Sequence, residues 1–181
     1  YVFEGLGLGT YLGIYGGLFH LVNHTIIKAL LFLSVGALMY ATRGRRRISE
    51  LAGVGKQMPI TAFCFIVGAL AISGMPPLNG FASKFTLFLA IGEAGLYWAL
   101  GLSLFTGLLT LACLMRAAYL VFWKTGDDRT VHPVKEVPWP MSLAMVFLAG
   151  LCLLIGLYPN LLYPILHQAT NAVLAIWSAG Q

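Results

Sequence analysis

Four stretches of the chain carry no charged side chain: residues 5–27, 57–83, 94–115 and 137–181. A helical crossing of a bilayer core takes about 20 predominantly apolar residues, so each stretch is long enough for at least one. In lipid every backbone N–H and C=O must be paired inside the protein, which leaves helices and closed barrels. The two-residue alternation of a barrel strand is not visible here. The expected fold is an all-α integral membrane protein with about 4–5 transmembrane helices. Composition agrees: 59% of the residues are hydrophobic and 9% charged, against roughly 25% charged in soluble domains. These figures argue against a disordered chain, a fibrous repeat and a soluble enzyme.

The first crossing is expected from about Leu12 to Ala41. Gly9, Gly13 and Gly17 recur at every fourth position and offer a smooth strip for close helix packing. Gly5-Leu6-Gly7-Leu8-Gly9 is not read as a nucleotide loop, because no strand precedes it and no acidic residue follows about 20 positions on. Residues 42–58 form a basic loop with Arg43, Arg45, Arg46, Arg47 and Lys56 against Glu50. Met58-Pro59 opens a second apolar run to about Ser73, and proline suits the first turn of a helix. That run breaks at Gly74-Met75-Pro76-Pro77-Leu78-Asn79-Gly80, a sequence that stops a helix. A shorter piece follows from about Phe81 to Ile91.

That piece covers only about 16 Å of a roughly 30 Å core. Residues 59–91 are therefore read as one crossing made of two half-helices. Broken helices are tolerated at membrane depth where they line a cavity, and in transporters they mark ion or substrate sites. Further crossings are expected at about Tyr97–Trp123 and Pro140–Leu157. The loop 124–138 between them sets Lys124, Arg129 and Lys135 against Asp127, Asp128 and Glu136. The tail 161–178 reads as an apolar helix, either interfacial or a partial span. The chain opens Tyr1-Val2-Phe3-Glu4 without an initiator Met and reads as a piece of something longer.

A net charge of +5 would suggest nucleic acid on a soluble protein, but here it follows from membrane topology and calls for no nucleic acid partner. A single broken crossing puts the loops 42–58 and 124–138 on one side. Together they hold eight of the eleven Lys and Arg residues, while Glu4 and Glu93 fall on the other side. The positive-inside rule then makes both loops cytoplasmic, in a multi-pass protein of the cell inner membrane. Trp98, Trp123 and Trp139 fall near span ends, where interface anchors belong. Cys64, Cys113 and Cys152 sit in apolar runs without a CxxC pair and read as small packing residues.

Ionisable residues inside a span are costly and by default suggest function. Lys28 and Lys84 are the deep ones; Arg116 is near enough to a span end to snorkel. His20, His24 and Lys28 are spaced by four, which places them on one helix face over about 12 Å. A neutral imidazole has one donor and one acceptor nitrogen, so two of them can pass protons. A lysine away from water gives up its proton more readily than one in water. Lys84 follows the Pro76-Pro77 break by seven residues, where freed carbonyls and water can meet it. The plainer alternatives are histidines that hydrogen-bond between helices and a lysine held by those carbonyls. His-x₃-His also resembles a metal pair, but no third ligand lies nearby, so no metal site and no cofactor are expected in this chain.

The wording of these segments resembles a known family. Leu18-Phe19-His20-Leu21-Val22-Asn23-His24, Lys28-Ala29-Leu30-Leu31-Phe32 and Gly36 resemble the antiporter-like subunits of the complex I superfamily. So do Met58-Pro59-Ile60-Thr61, Gly68-Ala69-Leu70-Ala71-Ile72-Ser73-Gly74, Pro76-Pro77-Leu78-Asn79-Gly80-Phe81 and Ser83-Lys84. The superfamily includes respiratory NADH dehydrogenase, Mrp-type sodium/proton antiporters and membrane-bound hydrogenase and formate hydrogenlyase complexes. The ordered match covers about residues 10–90. The resemblance implies about fourteen spans with two inverted repeats in the whole protein. Residues 1–93 would be the C-terminal part of the proton-translocating domain, and 94–181 the following helices with an apolar tail. It implies that Lys84 is a terminal proton-channel residue, that Lys28 lies on a central hydrophilic axis, and that His20 and His24 link them. The glutamate and lysine pair of the first repeat has no counterpart here. Hydrogenase-type subunits share the Pro-Pro-Leu-Asn-Gly-Phe wording but often carry an acidic residue where this chain has Lys84. A lysine there resembles the NADH dehydrogenase and Mrp types.

The expected function is a proton-conducting fragment of a redox-driven ion pump, a translocase subunit with its redox chemistry in partner subunits. The alternatives are an Mrp-type Na⁺/H⁺ antiporter subunit and a non-transporting membrane scaffold. The expected partners are other membrane subunits, the bilayer, and protons, with Na⁺ as the other candidate ion.

Overall fold

The computed structural model describes residues 1–45, 47–48, 51, 53–124 and 134–179. Arg46, Glu50, Asp127, Asp128 and Arg129, counted above among the loop charges, lie outside the described residues. Among the described residues the regular structure is helical: α1 (Val2–Gly7), α2 (Tyr11–Ala41), α3 (Pro59–Ser73), α4 (Asn79–Glu93), α5 (Tyr97–Ala118), α6 (Trp139–Leu157) and α7 (Tyr163–Ala179). A π turn at Tyr119–Trp123 extends α5. Helix α2, the segment Tyr97–Trp123 and α6 are each long and apolar enough to cross a membrane, and α3 is a shorter apolar helix.

Helix α2 starts where Thr10, in an extended conformation, accepts a hydrogen bond from Gly13 N at 3.1 Å, a standard N-cap. Gly9 has φ +62° and forms the turn into α2. It therefore does not belong to the expected glycine strip, of which Gly13 and Gly17 remain. Helix α1, too short to show a periodicity, docks on that strip. A methyl on Gly5 would lie 2.5 Å from Gly13 O, and one on Gly17 would lie 3.1 Å from Val2 O. Without a hydrophobic drive between helices in lipid, such close backbone approach supplies the packing.

The broken crossing is single. At 31 residues, α2 is about 46 Å long. Helices α3 and α4 have 15 residues each, about 22 Å apiece, so neither crosses alone. Leu31 of α2 packs at Gly68, Ile27 at Gly80, and Gly16 at Leu87. Between these contacts, Asn23 bonds to Asn79 and His20 to Ser83. The α2 numbers fall as the α3–α4 numbers rise. The two half-helices therefore run end to end, antiparallel to α2 along its length.

Gly74 closes α3 in the left-handed conformation, φ +89°. Its N–H bonds to Ala71 O at 3.0 Å, and Met75 N bonds to Leu70 O at 3.0 Å. These bonds satisfy carbonyls that a helix end leaves open. Helix α4 begins at Asn79, two residues before the expected start, and ends at Glu93 rather than Ile91. The extended backbone of Leu78 sets its first turn. Gly80 makes this early start possible. A methyl there would collide with Ala71 O, so only glycine lets α4 begin against the last turn of α3.

The described parts of both basic loops meet at one end of the bundle. Gly53 N donates to Val121 O at 3.0 Å, and Val134 N donates to Gln57 Oε1 at 2.6 Å. Glu136 caps α3: its carboxylate accepts from Ile60 N at 3.0 Å and from Thr61 Oγ1 at 2.6 Å. A carboxylate there meets open N–H groups and the positive end of the helix dipole. Helix α7 packs at the opposite end, against the start of α2. Tyr11 Oη and His167 Nδ1 are 2.7 Å apart, the Tyr15 and Tyr163 rings 6.1 Å, and Trp177 lies beside Gly9. Cys64 and Cys152 are fully buried in the α3–α6 packing, whereas Cys113 is exposed on α5. Arg116 is exposed on α5 as well.

Candidate functional site

Buried His20, Asn23, Asn79, Ser83 and Lys84 gather where α2, α4, α1 and α5 meet the break. His20 is buried on α2 and faces Ser83 of α4, Nδ1 to Oγ 3.0 Å. Ser83 Oγ also reaches Gly80 O at 3.3 Å and Asn79 O at 3.4 Å. A serine has one proton to give. When it goes to those carbonyls, Oγ accepts Nδ1–H and leaves His20 Nε2 as an acceptor. The His24 ring lies 5.8 Å from the His20 ring.

Lys84 is buried one residue beyond Ser83. Its ammonium donates to Ile72 O at 2.8 Å and to Ser73 O at 3.2 Å, open carbonyls at the negative end of α3. Gly74 makes room for this: a methyl there would lie 2.9 Å from Lys84 Cδ. The Tyr1 ring is shared by both basic groups, its centroid 4.7 Å from Lys84 Nζ and 5.2 Å from the His20 ring. The first distance is a cation–π contact.

The break is held from two sides. Asn23 Nδ2 donates to Asn79 O, and Asn79 Nδ2 donates to Asn23 Oδ1, both at 3.1 Å. Asn23 and Asn79 are fully buried, and Asn79 Oδ1 has no hydrogen-bond partner among the described residues. Helix α6 presses on the other side, where a methyl on Gly156 would collide with Pro77 O. Pro76 and Pro77 thus fix the bend, while Gly74 and Gly80 let the half-helices approach.

The structure therefore brings His20, His24 and Lys84 to one cluster. Lys28 stands one turn beyond His24 on α2, with its ammonium 5.9 Å from the Phe32 ring centroid. A cavity of about 590 Å³ opens between α4 and α5 beside Lys84, walled by Phe85, Phe88, Leu104 and Gly107. Gly107 marks a junction, since a methyl on it would lie 3.6 Å from Tyr1 Oη and 3.7 Å from both Lys84 Nζ and Ser73 O. Sequence reasoning missed Tyr1, Asn23, Asn79, Ser83 and Gly107. Asn23 and Ser83 carried a signal, adjacent in sequence to the flagged His24 and Lys84 or three positions from His20. Tyr1 and Gly107 carried none, because their roles arise only from the packing of α1 and α5.

Comparison with known proteins gives a consistent picture. The family model described as NADH:quinone oxidoreductase/Mrp antiporter, TM, matches residues 1–110. Formate hydrogenlyase subunit 3 of Escherichia coli is 33% identical over 169 residues, covering 87% of this chain and 28% of that protein. The putative antiporter subunit mnhD2 of Staphylococcus aureus is 33% identical over 171 residues, covering 94% of this chain and 34% of that protein. Among solved structures, a chain of respiratory complex I from Thermus thermophilus superposes with a TM-score of 0.82 at 27% identity, covering 96% of this chain and 36% of that one. The chain thus spans about a third of the length of the curated relatives it matches.

Proposed function

The chain belongs to the NADH:quinone oxidoreductase/Mrp antiporter transmembrane family, and on that premise we propose that it carries one proton path of a multisubunit membrane pump. The observation that carries this reading is Lys84: a lysine buried in an integral membrane protein, bonded to the open carbonyls of a broken helix and joined to His20 through one aromatic ring. An ammonium at that depth is tolerated because Ile72 O and Ser73 O receive two of its protons. A neutral amine needs those carbonyls less, so gain and loss of a proton at Lys84 changes what holds the break together.

In the proposed path protons reach Lys84 over His24 and His20. The imidazoles lie side by side on α2, and Ser83 fixes the orientation of the second. Lys28, one turn further on, stands on the same face of α2 and is the next ionisable group of the path. The basic end of the bundle faces the cytoplasm of the inner membrane by the positive-inside rule. The partners are other membrane subunits, and any redox chemistry lies in them.

A second reading, an Mrp-type Na⁺/H⁺ antiporter subunit, is favoured by the relative named as a putative antiporter subunit. Ile72 O and Ser73 O are oxygen ligands of the kind Na⁺ takes at broken helices. Sodium-dependent proton exchange in vesicles, with no redox substrate present, distinguishes it. Both readings predict that Lys84→Ala in the assembled complex abolishes or sharply lowers proton transport. Undiminished transport in a fully assembled Lys84→Ala complex refutes both and leaves a membrane scaffold.

A further inference from the structure

We propose that the cavity at the basic end of the bundle, between α2, α3 and the π turn, seats an anionic phospholipid, with one acyl chain between its walls and the phosphate on Arg45. The inference stands apart from the proton path and needs only that the protein lies in a bilayer.

This cavity, of about 470 Å³, is lined by Val35, Leu38, Leu51, Phe65, Val121 and Phe122, among others. Its volume falls in the roughly 300–1,000 Å³ range of small-molecule sites. Among the described residues that line it, Arg45 alone is charged and the rest are apolar. Val35 lies six residues before the end of α2 at Ala41, about 9 Å along the helix. The cavity therefore follows the last two turns of α2, with Arg45 beyond the helix end.

Local structure builds both sides. Helix α2 stops where Arg43 has φ +56° and Gly44 φ +86°, and Gly44 N donates to Met39 O at 2.8 Å. This left-handed turn ends the helix and sends the chain back, so that Arg45 joins the lining. Across the cavity, Lys124 N donates to Tyr119 O at 2.8 Å and closes the π turn, and Gly53 N donates to Val121 O at 3.0 Å. A methyl on Gly55 would collide with Phe122 O, and the Phe65 and Phe122 rings are 5.5 Å apart. Single π turns are rare and often sit at functional sites. Backbone bonds thus hold this wall in place.

Charge and depth select the occupant. The apolar walls suit an acyl chain, because van der Waals contact is what drives packing in lipid. Arg45 forms no ion pair among the described residues. Glu136, the described carboxylate at this end, is bonded to Ile60 N and Thr61 Oγ1 instead. A guanidinium binds a phosphate through two parallel N–H···O bonds. Arg43, Arg47, Lys56 and Lys124 are exposed at the same end, and such a basic field favours a lipid with net negative charge over a zwitterionic one. Tyr40, Tyr119 and Trp123 are exposed there too, at the level where aromatic side chains mark the headgroups. Arg45 is therefore at headgroup depth while the cavity reaches into the hydrocarbon.

The test places a photoreactive benzophenone amino acid at Ile48, an exposed residue of the lining, in the assembled complex. Vesicles hold equal amounts of phosphatidylglycerol and phosphatidylcholine with the same acyl chains, and the adducts on this subunit are read by mass spectrometry. The expected result is a phosphatidylglycerol adduct in clear excess over phosphatidylcholine. That excess should fall about tenfold in Arg45→Gln and far less in Arg43→Gln, which removes an exposed charge outside the lining. Equal adducts of the two lipids, equal losses in the two variants, or crosslinking to another subunit overturns the proposal. If Arg45→Gln fails to assemble, Ala117→Phe decides, because it fills the cavity and keeps the charge. It should lower the phosphatidylglycerol adduct as strongly, and an unchanged yield overturns the site.

Discussion

Gly80→Ala should separate the two half-helices. The added methyl would collide with Ala71 O and lie 2.8 Å from Ala71 C, whereas real Cβ contacts essentially never fall below 3.0 Å. The obstacle is backbone, so no side chain can swing away. Helix α4 must shift by about 1 Å or more, an overpacking of the kind that costs about 1–3 kcal/mol. The same shift stretches the 3.1 Å bonds between Asn23 and Asn79 and the 3.0 Å contact between His20 and Ser83. Each buried bond lost adds about 1 kcal/mol, for a total of about 4–6 kcal/mol if all three are lost. Misplacement of a reacting group by about 1 Å can cost about 100-fold in rate. The assay is thermal inactivation of the purified complex together with proton transport in vesicles. Gly36→Ala is the control, because a methyl there meets nothing within 4 Å. If Gly80→Ala matches Gly36→Ala in both measurements, the close packing of α3 on α4 described here is wrong.

Other substitutions probe separate parts of the account. Glu136→Ala removes the cap shared by Ile60 N and Thr61 Oγ1; thermal inactivation should report a loss of about 0.5–2 kcal/mol, with Glu136→Asp intermediate. Asn23→Ala leaves Asn79 Nδ2 without its acceptor in a fully buried site and should destabilise by about 1–3 kcal/mol in the same assay. Gly107→Ala fits at 3.6–3.7 Å from its neighbours and should keep transport, while the bulkier Gly107→Val should lower it in vesicles without loss of assembly.

The path of the chain was legible because charge-free runs and a proline pair dictate it. The spans at α2, α5 and α6 and the break at Gly74–Gly80 follow from the need to satisfy the backbone in lipid. The polarity of the loops also anticipated the single crossing, which the antiparallel pairing of α2 with α3 and α4 then shows. What escaped was whatever depends on two helices approaching. Helix α1 spans six residues, too few for a period, and its docking on Gly13 and Gly17 brings Tyr1 to Lys84. Gly9 looked like part of that strip because spacing alone cannot tell a helical glycine from one at φ +62°. Glu136 looked like one loop charge among several, since only the fold carries it back to the start of α3. His20, His24 and Lys28 share a face as their spacing requires, yet the partners that divide them, Ser83 and Phe32, are properties of the packing.

The central claim is that His20 and Lys84 serve one and the same proton path. Transport by the assembled complex should be measured for His20→Leu, Lys84→Ala and the double variant in parallel, with subunit content held equal. Residues that act as a unit are strongly non-additive. The account predicts a large loss in each single variant and no further loss in the double. Losses that multiply, or a single variant with undiminished transport, would contradict it.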